Sequence, residues 1–170
     1  ELLPARVDNP EGFFEDARVV DLDTRLLEQQ RILWYQPVDV AEPVRARDEQ
    51  LNDEARALLI KRLDEHPDWV VKDPRFCLLL PFWLERLAEQ PDLAASTDVQ
   101  FIWVLRHPDD VAASLARRDS FSMEHGRQLW LAYNLAILRH LQGRQVWLVD
   151  YDQLLAQPLD STARLAGGFG

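Results

Sequence analysis

The sequence predicts an α/β domain in which a parallel sheet is flanked by helices. Two observations predict it. From residue 69 onward, apolar runs of strand length alternate with stretches of helical periodicity. One of those runs, VQFIWVL (99–105), is apolar on both faces, as a central strand of a parallel sheet reads. Strands alternating with helices imply parallel pairing, helices on the sheet faces and right-handed crossovers. In such sheets ligands bind beyond the carboxyl ends of the strands.

Each element follows in order. ELLPARVDNPEGFFED (1–16) is rich in turn formers and reads as a loop with Phe13 and Phe14 as aromatic anchors. The periodic apolar positions of 17–34 predict a helix, and the proline-containing stretch 35–50 a loop. Residues 51–66 predict an amphipathic helix with Leu51, Ala55, Leu58, Leu59 and Leu63 on one face. DWVVKDP (68–74) reads as a short strand stopped by Pro74, and 76–90 as an apolar helix with Pro81 near its first turns. After the strand 99–105, Pro108 and the pair Asp109 and Asp110 mark a helix start over 107–118. Residues 124–142 predict a long helix, apolar on most sides and therefore deeply packed. QVWLV (145–149) predicts a further buried strand, and YDQLLAQP the start of a last helix.

Composition narrows the function. The 170 residues carry a net charge of −10, so binding to nucleic acid through a broad basic face is excluded, while a small local anion site is not. A single cysteine, Cys77, excludes an intramolecular disulfide and a multi-cysteine metal site, and the four histidines lack metal-ligand spacing. No apolar run reaches membrane-spanning length, so the expectation is a cytoplasmic protein. The first residue is glutamate, which leads us to expect that the chain starts inside a longer product.

Each predicted strand ends in polar residues: Lys72 and Asp73, then Arg106, then Asp150 and Tyr151. Two cations brought to one sheet edge would form a local positive site on an acidic protein. Ser114 lies about two turns into the helix after Arg106, at ~1.5 Å per residue. A guanidinium gives two parallel hydrogen bonds to a phosphate, and a hydroxyl gives a third. The plainer alternative pairs Arg106 with Asp109 or Asp110 and packs Ser114 against the sheet.

The order Arg-His-Pro-x-x-Val-Ala-x-Ser-Leu, with Arg106 and Ser114, resembles the 3′-phosphate-binding segment of the PAPS-dependent sulfotransferases. VVKDPR (70–75) resembles the Lys-Asp-Pro-Arg strand end of their bacterial branch, LWLAYN (129–134) the long helix, and VWLVDYDQLLAQP (146–158) the strand and Tyr-Glu-Asp-Leu segment. NPEGFFED (9–16) is similar to the segment after their first nucleotide loop. The resemblance spans most of residues 9 to 158. It implies a three-layer α/β/α, P-loop NTPase-like fold with a central parallel sheet, one domain over 1–170, and PAPS as cosubstrate with no metal. It implies that Arg106 and Ser114 hold the 3′-phosphate and Tyr151 lies near the adenine. Glu15 is then the candidate base, with Glu11 the other candidate and helix capping the plainer reading of Glu15. Lys72 balances charge at the site or pairs with Asp73, and Asp73 with Arg75 forms a structural pair.

Three departures stand beside the match. The first strand and its Gly-x-x-Arg-Ser-Gly-Thr-type loop are absent, and the resemblance places them upstream of Glu1. Pro74 stands where the vertebrate cytosolic enzymes have a catalytic histidine, and their late Arg-Lys-Gly loop has no counterpart. The expected partner is a small-molecule or carbohydrate acceptor facing loops 35–50 and 117–125, with no nucleic acid. The alternatives are a nucleotide or nucleoside kinase and a non-catalytic nucleotide-binding relative. His66, His125 and His140 are expected to be solvated, His107 to cap its helix, and Trp34, Trp83, Trp103 and Trp147 to lie in the core. A place near an acceptor cleft is the lesser reading of Trp130, a structural one the plainer. Cys77 is expected to be a small buried apolar residue.

Overall fold

The computed structural model of the chain describes residues 1–5, 12–39 and 42–168. In chain order the elements are α1 (Ala17–Gln29), α2 (Glu49–Glu65), α3 (Phe76–Ala88), α4 (Pro91–Ser96), β1 (Ile102–Leu105), α5 (Pro108–Asp119), α6 (Met123–His140), β2 (Trp147–Asp150), α7 (Tyr151–Ala156) and α8 (Pro158–Gly168). The chain divides into two compact units. The first comprises Glu1–Thr97 with Ala132–His140, the second Asp98–Leu131 with Leu141–Gly170.

The first unit is helical. Leu22, Leu26 and Leu27 of α1 pack with Leu51, Ala55, Leu58 and Leu59 of α2 and with Leu78, Leu79, Phe82 and Trp83 of α3. The spacing of these positions at three and four residues turns one stripe of each helix inward. Asp16 caps α1 by accepting the Arg18 amide at 2.9 Å, and Asp48 caps α2 by accepting the Leu51 amide at 2.8 Å. Pro81 is accommodated inside α3. A buried ion pair joins α2 to the start of α1, with Arg62 Nε 2.6 Å from Asp16 Oδ2.

The second unit holds the sheet, which consists of β1 and β2 paired in parallel with Ile102 opposite Trp147 and Leu105 opposite Asp150. Its faces are only partly covered: Val149 is buried, while Ile102 and Val104 on β1 and Leu148 on β2 remain exposed. On α5 and α6, Gly126 lies against Ala112 so closely that a side chain at 126 would stand 2.7 Å from the Ala112 Cα. That fit needs both small residues.

The predicted three-layer α/β/α, P-loop NTPase-like fold is therefore not what this chain forms. Helix accounts for 60% of the residues and strand for 6%, with no central multi-stranded sheet among the described residues. The stretch 68–74, read as a strand, pairs with no other strand among the described residues. The Asp73 carboxylate accepts the Arg75 amide at 2.8 Å and the Asp73 carbonyl accepts the Phe76 amide, which folds the backbone into a turn leading to α3. Val70 projects into solvent. Nor is 99–105 a strand covered on both faces, since alternate residues of β1 are exposed. Helix 124–142 is less deeply packed than its composition suggests: Leu131, Leu135 and Leu138 of α6 are exposed. Phe14, expected as an anchor, is also exposed and has a left-handed backbone, φ 55°.

Candidate functional site

Two groups of the residues singled out in the sequence come together, one in each unit. In the first unit, Lys72 and Glu15 meet across 57 positions of sequence, with Lys72 Nζ donating to Glu15 Oε1 at 2.7 Å. The same ammonium donates to the Phe13 carbonyl at 3.2 Å. Glu15 is buried, and its backbone carbonyl accepts the Leu3 amide at 2.8 Å, which fixes the segment. The residue that caps α1 is Asp16, so Glu15 does not play the capping part its plainer reading gave it. Lys72 does not turn to Asp73 either. Asp73 is held by Arg75, whose Nη1 lies 2.9 Å from Oδ1, and this is the structural pair the sequence suggested. Glu11, the other candidate base, lies outside the described residues.

In the second unit, a cleft of about 280 Å³ opens at the carboxyl end of β1, lined by Leu105, Arg106, His107, Pro108, Trp130 and the carboxylates Asp150 and Asp152. Three local arrangements build it. His107 turns the chain from β1 into α5 and caps that helix, its Nδ1 accepting the Asp109 amide at 3.3 Å. Trp130 on α6 pins the turn by donating from Nε1 to the Arg106 carbonyl at 3.0 Å. Asp150 ends β2 and caps α7, accepting the Gln153 amide at 2.7 Å.

The Arg106 guanidinium lies over the Tyr151 ring, 4.7 Å from its centroid, so two residues nominated 45 positions apart are stacked. Stacking of this kind orients a guanidinium and leaves its in-plane N–H groups free for an anion. The Nε of Arg106 is buried and has no hydrogen-bond partner among the described residues. The plainer pairing of Arg106 with Asp109 does not occur, because Asp109 is taken by Arg127 at 2.6 Å. That guanidinium holds the Asp109 carboxyl below its usual range. Ser114 lies half-buried on α5, two turns beyond the cleft, and is not one of its lining residues.

Sequence reasoning missed Asp152 as a cleft residue, and nothing in its local pattern marks it. It missed also that His140 is half-buried, where burial and then the charge of Arg139 push its imidazole below the usual value. Trp83 lies in the core, while Trp34, Trp103 and Trp147 are only half-buried. Trp130 lines the cleft beside Arg106. Cys77 is half-buried, and burial pushes its thiol up to about 12, so it is not a nucleophile at neutral pH. Among the described residues no cluster of three or more His, Cys, Asp or Glu side chains is arranged to hold a metal ion, and no helix is long and apolar enough to cross a membrane. Comparison with known proteins finds no matching family model, no matching curated protein and no matching solved structure.

Proposed function

We propose that the chain acts in sulfuryl transfer from PAPS to a hydroxyl or amine acceptor, with Arg106 as its ligand for the 3′-phosphate. The observation that carries this reading is the state of Arg106. It is a guanidinium stacked on a tyrosine, paired with no carboxylate among the described residues, lining an open cleft at a strand's carboxyl end. An oriented arginine that forms no ion pair among the described residues is suited to a phosphate. Tyr151 packs beside the adenine in this reading, and Ser114 adds a hydroxyl further along α5.

Glu15 and Lys72 supply the chemistry. The acceptor oxygen or nitrogen attacks sulfur, its proton passes to the Glu15 carboxylate, and the bond from sulfur to the phosphate oxygen breaks, releasing 3′,5′-adenosine bisphosphate. Lys72 holds Glu15 in place. This reading rests on these residues and on the sequence resemblance, not on the fold.

The test is a calorimetric titration of the protein with 3′,5′-adenosine bisphosphate. Arg106→Ala is expected to weaken binding by about 10- to 100-fold, the value of a charge-assisted hydrogen-bonded pair. Binding that survives Arg106→Ala intact overturns the assignment. So does binding of ATP with Mg²⁺ in place of the bisphosphate, which would favour a kinase. With a sulfated product assay in hand, Glu15→Gln is expected to lower turnover by about 10²- to 10⁴-fold.

A further inference from the structure

Asp23 sits in the middle of α1 and is fully buried. Its Oδ1 accepts from Trp83 Nε1 of α3 at 2.7 Å, while its Oδ2 is enclosed with no partner among the described residues. Beside it lies Asp73, whose side chain is also fully buried. The cation of the cluster, Arg75, is committed to Asp73, with Nη1 2.9 Å from Oδ1 and 3.1 Å from Oδ2. The other titratable groups facing the cluster are Cys77 of α3 and Tyr133 of α6. Burial pushes both upward, so both are neutral at physiological pH. Two buried carboxyls thus face one guanidinium. An enclosed carboxylate with no cation of its own is costly, and a proton removes that cost.

We propose that Asp23 and Asp73 form a proton-binding site in which one shared proton lets one carboxyl donate to the other, tying α1 to the 72–75 turn. The unpartnered Oδ2 of Asp23 is the oxygen this proton satisfies. Burial first, and then the charge of Asp73, set the Asp23 carboxyl well above the usual carboxylate range, in keeping with that geometry. The sign follows. A carboxyl whose folded value is raised contributes stability that is complete below its unfolded value and is lost as pH rises through the folded one. The turn so secured carries Lys72, whose bond to Glu15 is part of the candidate site.

The deciding measurement is ¹³C NMR of the full chain with aspartate labelled at Cγ. One aspartate is expected to carry the protonated-carboxyl shift at neutral pH and to titrate well above the others, and that resonance is expected to vanish in Asp23→Asn. Fully ionised aspartates at neutral pH overturn the proposal. Urea unfolding from mildly acidic to alkaline pH gives the second arm. The amide of Asp23→Asn can donate to Asp73 in the proton's place. Relative to that variant, the folding constant of the wild type is therefore expected to fall by up to about tenfold for each step of one pH unit until Asp23 ionises. Parallel pH profiles for the two proteins overturn it as well. Should Asp23→Asn fail to fold, the wild-type spectrum decides alone.

Discussion

Asp16 holds two things at once. Its carboxylate caps α1 through the Arg18 amide and pairs with Arg62, at 2.6 and 3.2 Å, in a site where little of either side chain is exposed. Burial by itself raises the Asp16 carboxyl, but the hydrogen bonds from Arg62 and Arg18 and the Arg62 charge outweigh it, and the net position is below the usual range. A depressed carboxyl contributes stability present above its unfolded value and lost as pH falls through the folded one. Asp16→Ala is expected to cost about 2–4 kcal/mol, the sum of a lost cap and a broken, largely buried pair. Urea titration followed by circular dichroism measures this, and the deficit should shrink below about pH 4, where the wild-type carboxylate is also being protonated. Asp23 behaves in the opposite sense, because its cation is missing. At this scale the sequence named Glu15, Lys72, Arg106 and Tyr151 without showing which would touch. It carried no hint of Asp23, which looks like any helix-surface aspartate until α3 lays Trp83 over it.

The elements that were legible are those whose signal is local. The helix α5 begins at Pro108 because proline needs no amide partner in a first turn, and its His107 cap matches expectation. The face of α2 was correct at Leu51, Ala55, Leu58 and Leu59, all buried. Residues 68–74 were misread because an apolar run shows that a segment is to be covered, not by what. Asp73 instead accepts the Arg75 and Phe76 amides, so the segment turns into α3 rather than joining a neighbouring strand. The contact of α5 with α6 makes a sharper test. Gly126→Ala would gain about 1 kcal/mol of helix propensity. It would also place a methyl 2.7 Å from the Ala112 Cα and 2.8 Å from its Cβ. Because the obstruction is partly backbone, the helices must move apart, and a net loss of about 1–2 kcal/mol is expected from overpacking. Thermal unfolding of the variant measures it, and a rise in Tm would refute the close packing.

At the scale of the molecule the two units differ in how much apolar surface each keeps inside. The first gathers Leu22, Leu26, Leu51, Leu78, Phe82 and their neighbours into one cluster. The second buries Ala112, Leu129, Leu141 and Val149 while Ile102, Val104, Leu148, Leu155 and Leu159 stay exposed. Local opening is governed by how much buried contact must be broken. Amides of α1, α2 and α3 are therefore expected to exchange with solvent more slowly than those of β1 and β2, by roughly tenfold or more at equal intrinsic rate. Hydrogen-exchange mass spectrometry resolves this directly, and equal protection in both units would contradict it.

Neighbouring residues alone were enough to specify the buried face of α2, the start of α5 with its His107 cap, the acidic balance and a short set of candidate side chains. These depend on positions a few residues apart, or on composition, and so survive without knowledge of the fold. Folding in three dimensions set the remainder: that only two strands pair among the described residues, that Lys72 reaches Glu15, that Arg106 lies on Tyr151 and that Asp23 meets Asp73. Each of those joins residues 45 to 57 positions apart or depends on which backbone groups find partners, and no local pattern encodes such a choice.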